Sequence, residues 1–116
     1  MTLSLAARTR LAHLRVRYRA SLPGKLTAIE SAWAAAQRHP NSSARRAALH
    51  RRVHNLAGSA ALHGLPALAE RAHEVDRLIG SQGARPGAIQ GQTELSRAYA
   101  GLRGAFQEVL TKPKPS

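Results

Sequence analysis

The chain has 116 residues, enough for one domain, and no cysteine, which excludes a disulfide framework and thiolate metal or redox sites. Ala, Leu, Arg, Gln and Glu dominate, β-branched and aromatic residues are scarce, and no window alternates long enough for a half-buried strand, so the fold class is all-α. Formal net charge is +12 at pH 7, and residues 1–54 hold eleven Lys and Arg against Glu30 alone, which predicts an acidic partner surface or a polyanion.

No stretch approaches the roughly 20 apolar residues of a membrane span. The Arg-rich start, MTLSLAARTRLAHLR, has no apolar signal-peptide region. Its likeness to a transit peptide is offset by an apolar spacing that continues into the domain, so the expectation is a soluble cytoplasmic protein. Leu11, Leu14, Tyr18 and Leu22 form a first helical stripe, which Leu26, Ile29, Trp33 and Ala36 continue in phase. Pro23 falls between the two runs, where it opens an additional helix or kinks a single long one, and the unbroken phase favours the long helix. His39 to Ser43 reads as a turn with N-cap residues. A second helix carries Leu49, Val53, Leu56 and Ala60 inward and ends near Gly64. Pro66 starts a third, with Leu68, Ala72, Val75 and Ile79 buried, ending near Gly80. Residues 80–91 are rich in Gly and read as the longest loop. A final helix presents Leu95, Tyr99, Leu102, Phe106 and Val109. Residues 1–111 form the domain and 112–116 (Lys-Pro-Lys-Pro-Ser) a disordered tail. Short connections predict an antiparallel up-and-down four-helix bundle, with the N-terminal helix kinked or additional. The starting Met and the tail read as those of a free-standing chain, and the bundle is expected to be monomeric or weakly associating.

The stretch that carries chemistry is His54-Asn55-Leu56-Ala57-Gly58-Ser59-Ala60-Ala61-Leu62-His63-Gly64. On a helix, Gly58 lies one turn beyond His54 on the same face, with Ala57 and Ala61 beside it. Glycine inside a helix costs about 1 kcal/mol relative to Ala, so it calls for a reason. Access to His54 is one reason, and tight helix packing at Gly58 is the other. A neutral imidazole nitrogen is nucleophilic near neutral pH, and its phosphoramidate can pass the phosphoryl group on to a carboxylate. Leu56, Ala60, Leu62 and Leu65 are expected to be structural.

These residues resemble the histidine-containing phosphotransfer (HPt) domains of bacterial multistep phosphorelays. Such domains carry His-x-Leu-Lys-Gly-Ser/Ala-small and a further Gly ten residues after the histidine. This chain reads His54-Asn55-Leu56-Ala57-Gly58-Ser59-Ala60, then Gly64. Residues 65–76 are similar to the family's following helix, and Leu22-Pro23-Gly24 looks like the Leu-Pro-containing first helices of one branch. The strong likeness covers 49–79 and the weaker one nearly the whole chain. The resemblance implies a four-helix bundle with His54 as phosphoacceptor. It also implies response-regulator receiver domains and a hybrid histidine kinase as partners, no cofactor in the domain itself, and Mg²⁺ held by the receiver. The family's Lys three residues after the histidine is replaced by Ala57, which moves the phosphate-stabilising role to Arg51, one turn before His54, or to Arg52. The phosphate- and partner-binding set is therefore Arg51, Ala57, Gly58 and Ala61.

Other chemistry finds less support. His50 and His54 are spaced i, i+4, yet Arg51 and Arg52 repel a cation and no carboxylate is expected nearby, so no metal site is expected. His13, His39 and His73 read as solvated or boundary residues, and His63 as a helix-end residue favouring the C-terminal dipole. Ser59 lacks a nucleophile elbow, and the Gly-rich loop lacks a P-loop ending, so the domain has no ATP site of its own. The rival reading is nucleic-acid binding through Arg8, Arg10, Arg15, Arg17 and Arg19 and through Arg45, Arg46, Arg51 and Arg52. The lack of an aromatic stacking platform weighs against it. A third reading is an HPt-like adaptor that binds a receiver or kinase without carrying phosphate.

Overall fold

The computed structural model describes residues 3–82 and 93–111. Four helices follow in order: α1 Leu5–Arg38, α2 Ser43–Leu62, α3 Pro66–Gln82 and α4 Thr93–Thr111. The end of the expected Gly-rich loop and the expected tail, 83–92 and 112–116, lie outside the described residues. α3 runs two residues beyond Gly80, where the sequence places its end.

Each boundary has a local cause. Ser4 caps α1 by accepting from the Ala7 N–H (3.1 Å), and Ser42 caps α2 by accepting from Arg45 (3.2 Å), each satisfying a backbone donor that the helix leaves orphaned. α1 continues through Pro23 as one helix, as its unbroken apolar phase predicts. Its end, at His39, precedes Pro40. α2 stops at a turn in which Leu65 N–H donates to Ala60 O (2.9 Å) and Gly64 N–H to Ala61 O (3.3 Å). This Schellman closure needs a left-handed residue, and Gly64 supplies it at φ +79°. Pro66, which lacks an N–H, then opens α3 where none is required.

The helices pack in a ring, α1 on α2, α2 on α3, α3 on α4 and α4 on α1, with no diagonal contact among the described residues. Neighbours run antiparallel: Tyr18 meets Ser59, His50 and His54 meet Asp76, and Trp33 and Glu30 meet Tyr99 and Arg103. The core contains the apolar faces read from the sequence, including Leu22, Leu49, Val53, Leu68, Val75, Leu95, Leu102 and Phe106. α1 is the exception. Its 34 residues make it about 51 Å long against about 30 Å for α2. Its first half therefore overshoots its neighbours, and Leu14, expected to point into the core, is 46 % exposed.

Candidate functional site

α2 presents two kinds of surface. Val53, Leu56, Ala57 and Ala60 are buried, while Arg51, His54, Gly58, Ala61 and Leu62 are exposed. His54 stands 70 % exposed at the centre of the exposed group. A Cβ built on Gly58 meets nothing within 4 Å. The glycine is therefore not there for tight helix packing. It leaves the surface one turn beyond His54 flat.

The structure corrects three expectations at this surface. Ala57 is 1 % exposed, because it follows Leu56 onto the side of α2 that meets the core, so it offers no surface to a phosphate or a partner. Leu62, expected to be structural, is 72 % exposed, since it sits at the last residue of α2 on the outer face. Most consequential, a carboxylate does lie beside the histidine pair. Asp76, one helix away, places one oxygen 3.0 Å from Nδ1 of His54 and the other 2.6 Å from Nε2 of His50.

Asp76 is brought there by the antiparallel packing of α3. Ala72 and Gly80 lie one turn either side of it, and Gly80 closes to within 3.6 Å (built Cβ to ring carbon) of His50. Small residues let the helices approach, and the one longer side chain between them reaches both rings. The only signal in the sequence is a lone acid between small residues on an inward-leaning edge of α3. Ionised, Asp76 only accepts hydrogen bonds, so Nδ1 of His54 is the donor in this pair, and in the neutral ring that tautomer puts the lone pair on Nε2. His50 donates to the other oxygen and holds the carboxylate in place. Asp76 itself is only 17 % exposed. The two rings address different oxygens, with centroids 6.5 Å apart, and among the described residues no three such side chains form a metal-binding group.

The opposite flank of α2 is closed. Tyr18 of α1 stacks on His63 (centroids 4.3 Å, 13° between planes), and its hydroxyl lies 2.7 Å from Ser59 Oγ. Burial pushes the Tyr18 phenol up from its ordinary value, opposed by that hydrogen bond. His13, His39 and His73 are exposed, as expected.

The basic face is smaller than the sequence suggests. Arg46 is buried and donates to Pro40 O (2.7 Å), bracing the turn before α2. Trp33 and Tyr99 stack on one another at 4.0 Å, and Phe106 is fully buried. These rings are committed to packing, which leaves the described surface without an aromatic platform for bases.

Compared with known families, residues 13–108 match the Hpt domain. No curated protein and no solved structure matches the chain. No described helix is long and apolar enough to cross a membrane. The family match runs from within α1 to within α4 and takes in the whole of α2 and α3, and the chain belongs to the Hpt domain family, whose members serve histidine phosphotransfer relays with receiver and kinase components.

Proposed function

We propose that His54 is the phosphoacceptor, taking a phosphoryl group from a receiver-domain aspartate or a hybrid kinase and passing it to another receiver aspartate in the cytoplasm. The observation that carries this is the pairing of an exposed His54 with an Asp76 carboxylate on Nδ1, which directs the Nε2 lone pair outward. In the transfer step Nε2 attacks phosphorus of an aspartyl phosphate, an N–P bond forms and the P–O bond to the aspartate breaks. The ring, now substituted at Nε2 and protonated at Nδ1, carries a positive charge facing Asp76. Reversing the step returns the phosphoryl group to a carboxylate.

The rest of the chemistry is supplied by the partner. Mg²⁺ and the acidic pocket that holds the phosphoryl oxygens belong to the receiver, and no cofactor is assigned to this chain. Arg51, exposed three residues before His54, is placed to offset charge on the incoming phosphoryl group in the role the family gives to the Lys that Ala57 replaces. Gly58, Ala61 and the exposed Leu62 form the surface on which a receiver seats.

The test is transfer from a phosphorylated receiver with Mg²⁺, followed by intact mass and by acid and base lability. One acid-labile, base-stable phosphate, absent from His54→Gln, is the expected result. A phosphate that persists on His54→Gln assigns the site elsewhere, and tight receiver binding with no adduct on the native chain makes the domain an adaptor.

A further inference from the structure

The overshooting half of α1 has a regular pattern that the bundle does not use. Its core-facing line continues outward from Tyr18 through Leu14, Leu11 and Ala7 at alternating spacings of four and three. That is the spacing of a coiled-coil seam, with Leu11 and Tyr18 at position a and Ala7 and Leu14 at d of a heptad. In the same register Arg8 and Arg15 occupy the e positions and Arg10 and Arg17 the g positions beside Ala7 to Tyr18, while Leu3 and Ser4 stand at the g and a positions before them. The seam is thus flanked by arginine on both sides.

This half of α1 stands clear of the bundle. Tyr18 is its first buried residue. Arg15 lies against Gly64, at the end of the bundle, so the preceding turns project past it. Leu3, Leu5, Leu14 and Val16 are four of the five large apolar side chains exposed among the described residues. A groove of about 480 Å³ runs beside the seam, lined by Arg8, Leu11, Ala12 and Arg15 and closed at the bundle end by His63 and Gly64.

The e and g residues decide what can fill such a seam. A second copy aligned on it brings arginine against arginine in either direction, and like charges at these positions oppose pairing. The chain's own segments outside the described residues, 83–92 and 112–116, contain no Asp or Glu. Nor does residues 1–29, so nothing on the segment itself neutralises the arginines. A nucleic acid would use the arginines and leave the leucine line in water. An acidic amphipathic helix satisfies both at once, placing Leu-type residues into the seam and Glu or Asp opposite the arginines. We infer that residues 3–19 of α1 are a docking seam for an amphipathic helix of another protein, with apolar a and d positions and acidic e and g positions.

The probe is a labelled synthetic peptide of about three heptads with Leu at a and d and Glu at e and g, titrated into the full chain. Binding should weaken with added salt, and amide shifts in NMR should be confined to residues 3–19 and the Gly64 turn. Leu11→Ser with Leu14→Ser should weaken binding about tenfold or more while phosphate acceptance from an isolated receiver stays unchanged. Arg8, Arg10, Arg15 and Arg17, all changed to Glu, should abolish binding of the Glu peptide and create binding of its Lys counterpart. This gain cannot arise from a misfolded variant. Absence of Glu-peptide binding, or shifts mapped to the α3–α4 face, would overturn the inference. So would binding of the native chain to phosphatidylglycerol vesicles that competes the peptide away with Leu5 and Val16 inserted. Self-association through the acidic groove lined by Glu70, Glu74 and Glu108 would overturn it too.

Discussion

On one flank of α2, His50 and His54 meet the Asp76 carboxylate, and His54 stays largely in solvent. On the other flank, Ser59 and His63 close against the Tyr18 ring of α1. Both flanks hold histidine and a hydrogen-bonding partner, yet the first leaves its ring largely in solvent and the second covers it. The difference comes from the neighbouring helix. α3 offers Ala72, Asp76 and Gly80, so it approaches closely, supplies a charge and leaves the outer ring edge uncovered. α1 offers a tyrosine ring that covers its histidine face to face. A histidine on this helix is open to solvent or part of the packing according to which neighbour it faces.

The comparison can be broken from its open side first. His54→Gln should remove all phosphate acceptance while the far-ultraviolet circular dichroism and thermal midpoint stay within error of the native chain, because the side chain is exposed. Gly58→Arg should weaken receiver binding at least about a hundredfold by filling the flat surface, yet raise stability by about 0.5–1 kcal/mol in urea, since no neighbour obstructs the new side chain. Loss of docking together with loss of stability would mean that Gly58 is needed for packing after all. Asp76→Ala should slow acceptance about tenfold or more at saturating receiver with little change in receiver affinity, because it removes the group that fixes the His54 tautomer and not the docking surface. An equal loss in affinity would make Asp76 part of the docking surface instead.

The closed flank should respond in the opposite way. Tyr18→Phe removes the hydroxyl bond to Ser59, whose own hydroxyl still donates to Leu56 O (3.3 Å), so the expected cost is about 1 kcal/mol with transfer unaffected. A change in transfer rate would show that the two flanks communicate through α2. The smallest effect is in alkali. Burial, helped by Glu30 and opposed by Arg103, pushes the Tyr99 phenol from 10.0 to about 12. Because the folded value lies above the unfolded one, the neutral phenol's contribution to stability is complete below pH 10 and is lost as pH rises towards 12. Phenolate absorbance of the native chain should therefore rise at higher pH than that of the urea-unfolded chain, and coincident curves would refute the burial of both tyrosines.

Local patterning made much of the molecule legible in advance. The spacing of Leu22, Leu26 and Ile29, of Leu49, Val53 and Leu56, and of Leu95, Leu102 and Phe106 marks faces that the bundle buries. Ser42, Gly64 and Pro66 mark ends that depend on a few backbone atoms. Legibility failed where a side chain's fate depends on how far a neighbour extends. Leu14 and Leu62 carry the spacing of core residues but lie beyond, or at the outer edge of, the helices that would cover them. Arg46 looks like part of a charged face, but the turn at Pro40 folds back to take its guanidinium.

The sequence by itself determined the fold class, the helix ends and the outward, glycine-flanked place of His54, because these follow from periodicity and capping within a turn or two of chain. Only the tertiary structure decided that Asp76 shares its two oxygens between His50 and His54, that Ala57 is core and that the start of α1 stands unpaired. Each of these depends on the register and relative length of two packed helices, and a side-chain pair 22 residues apart leaves no periodic trace in either helix alone.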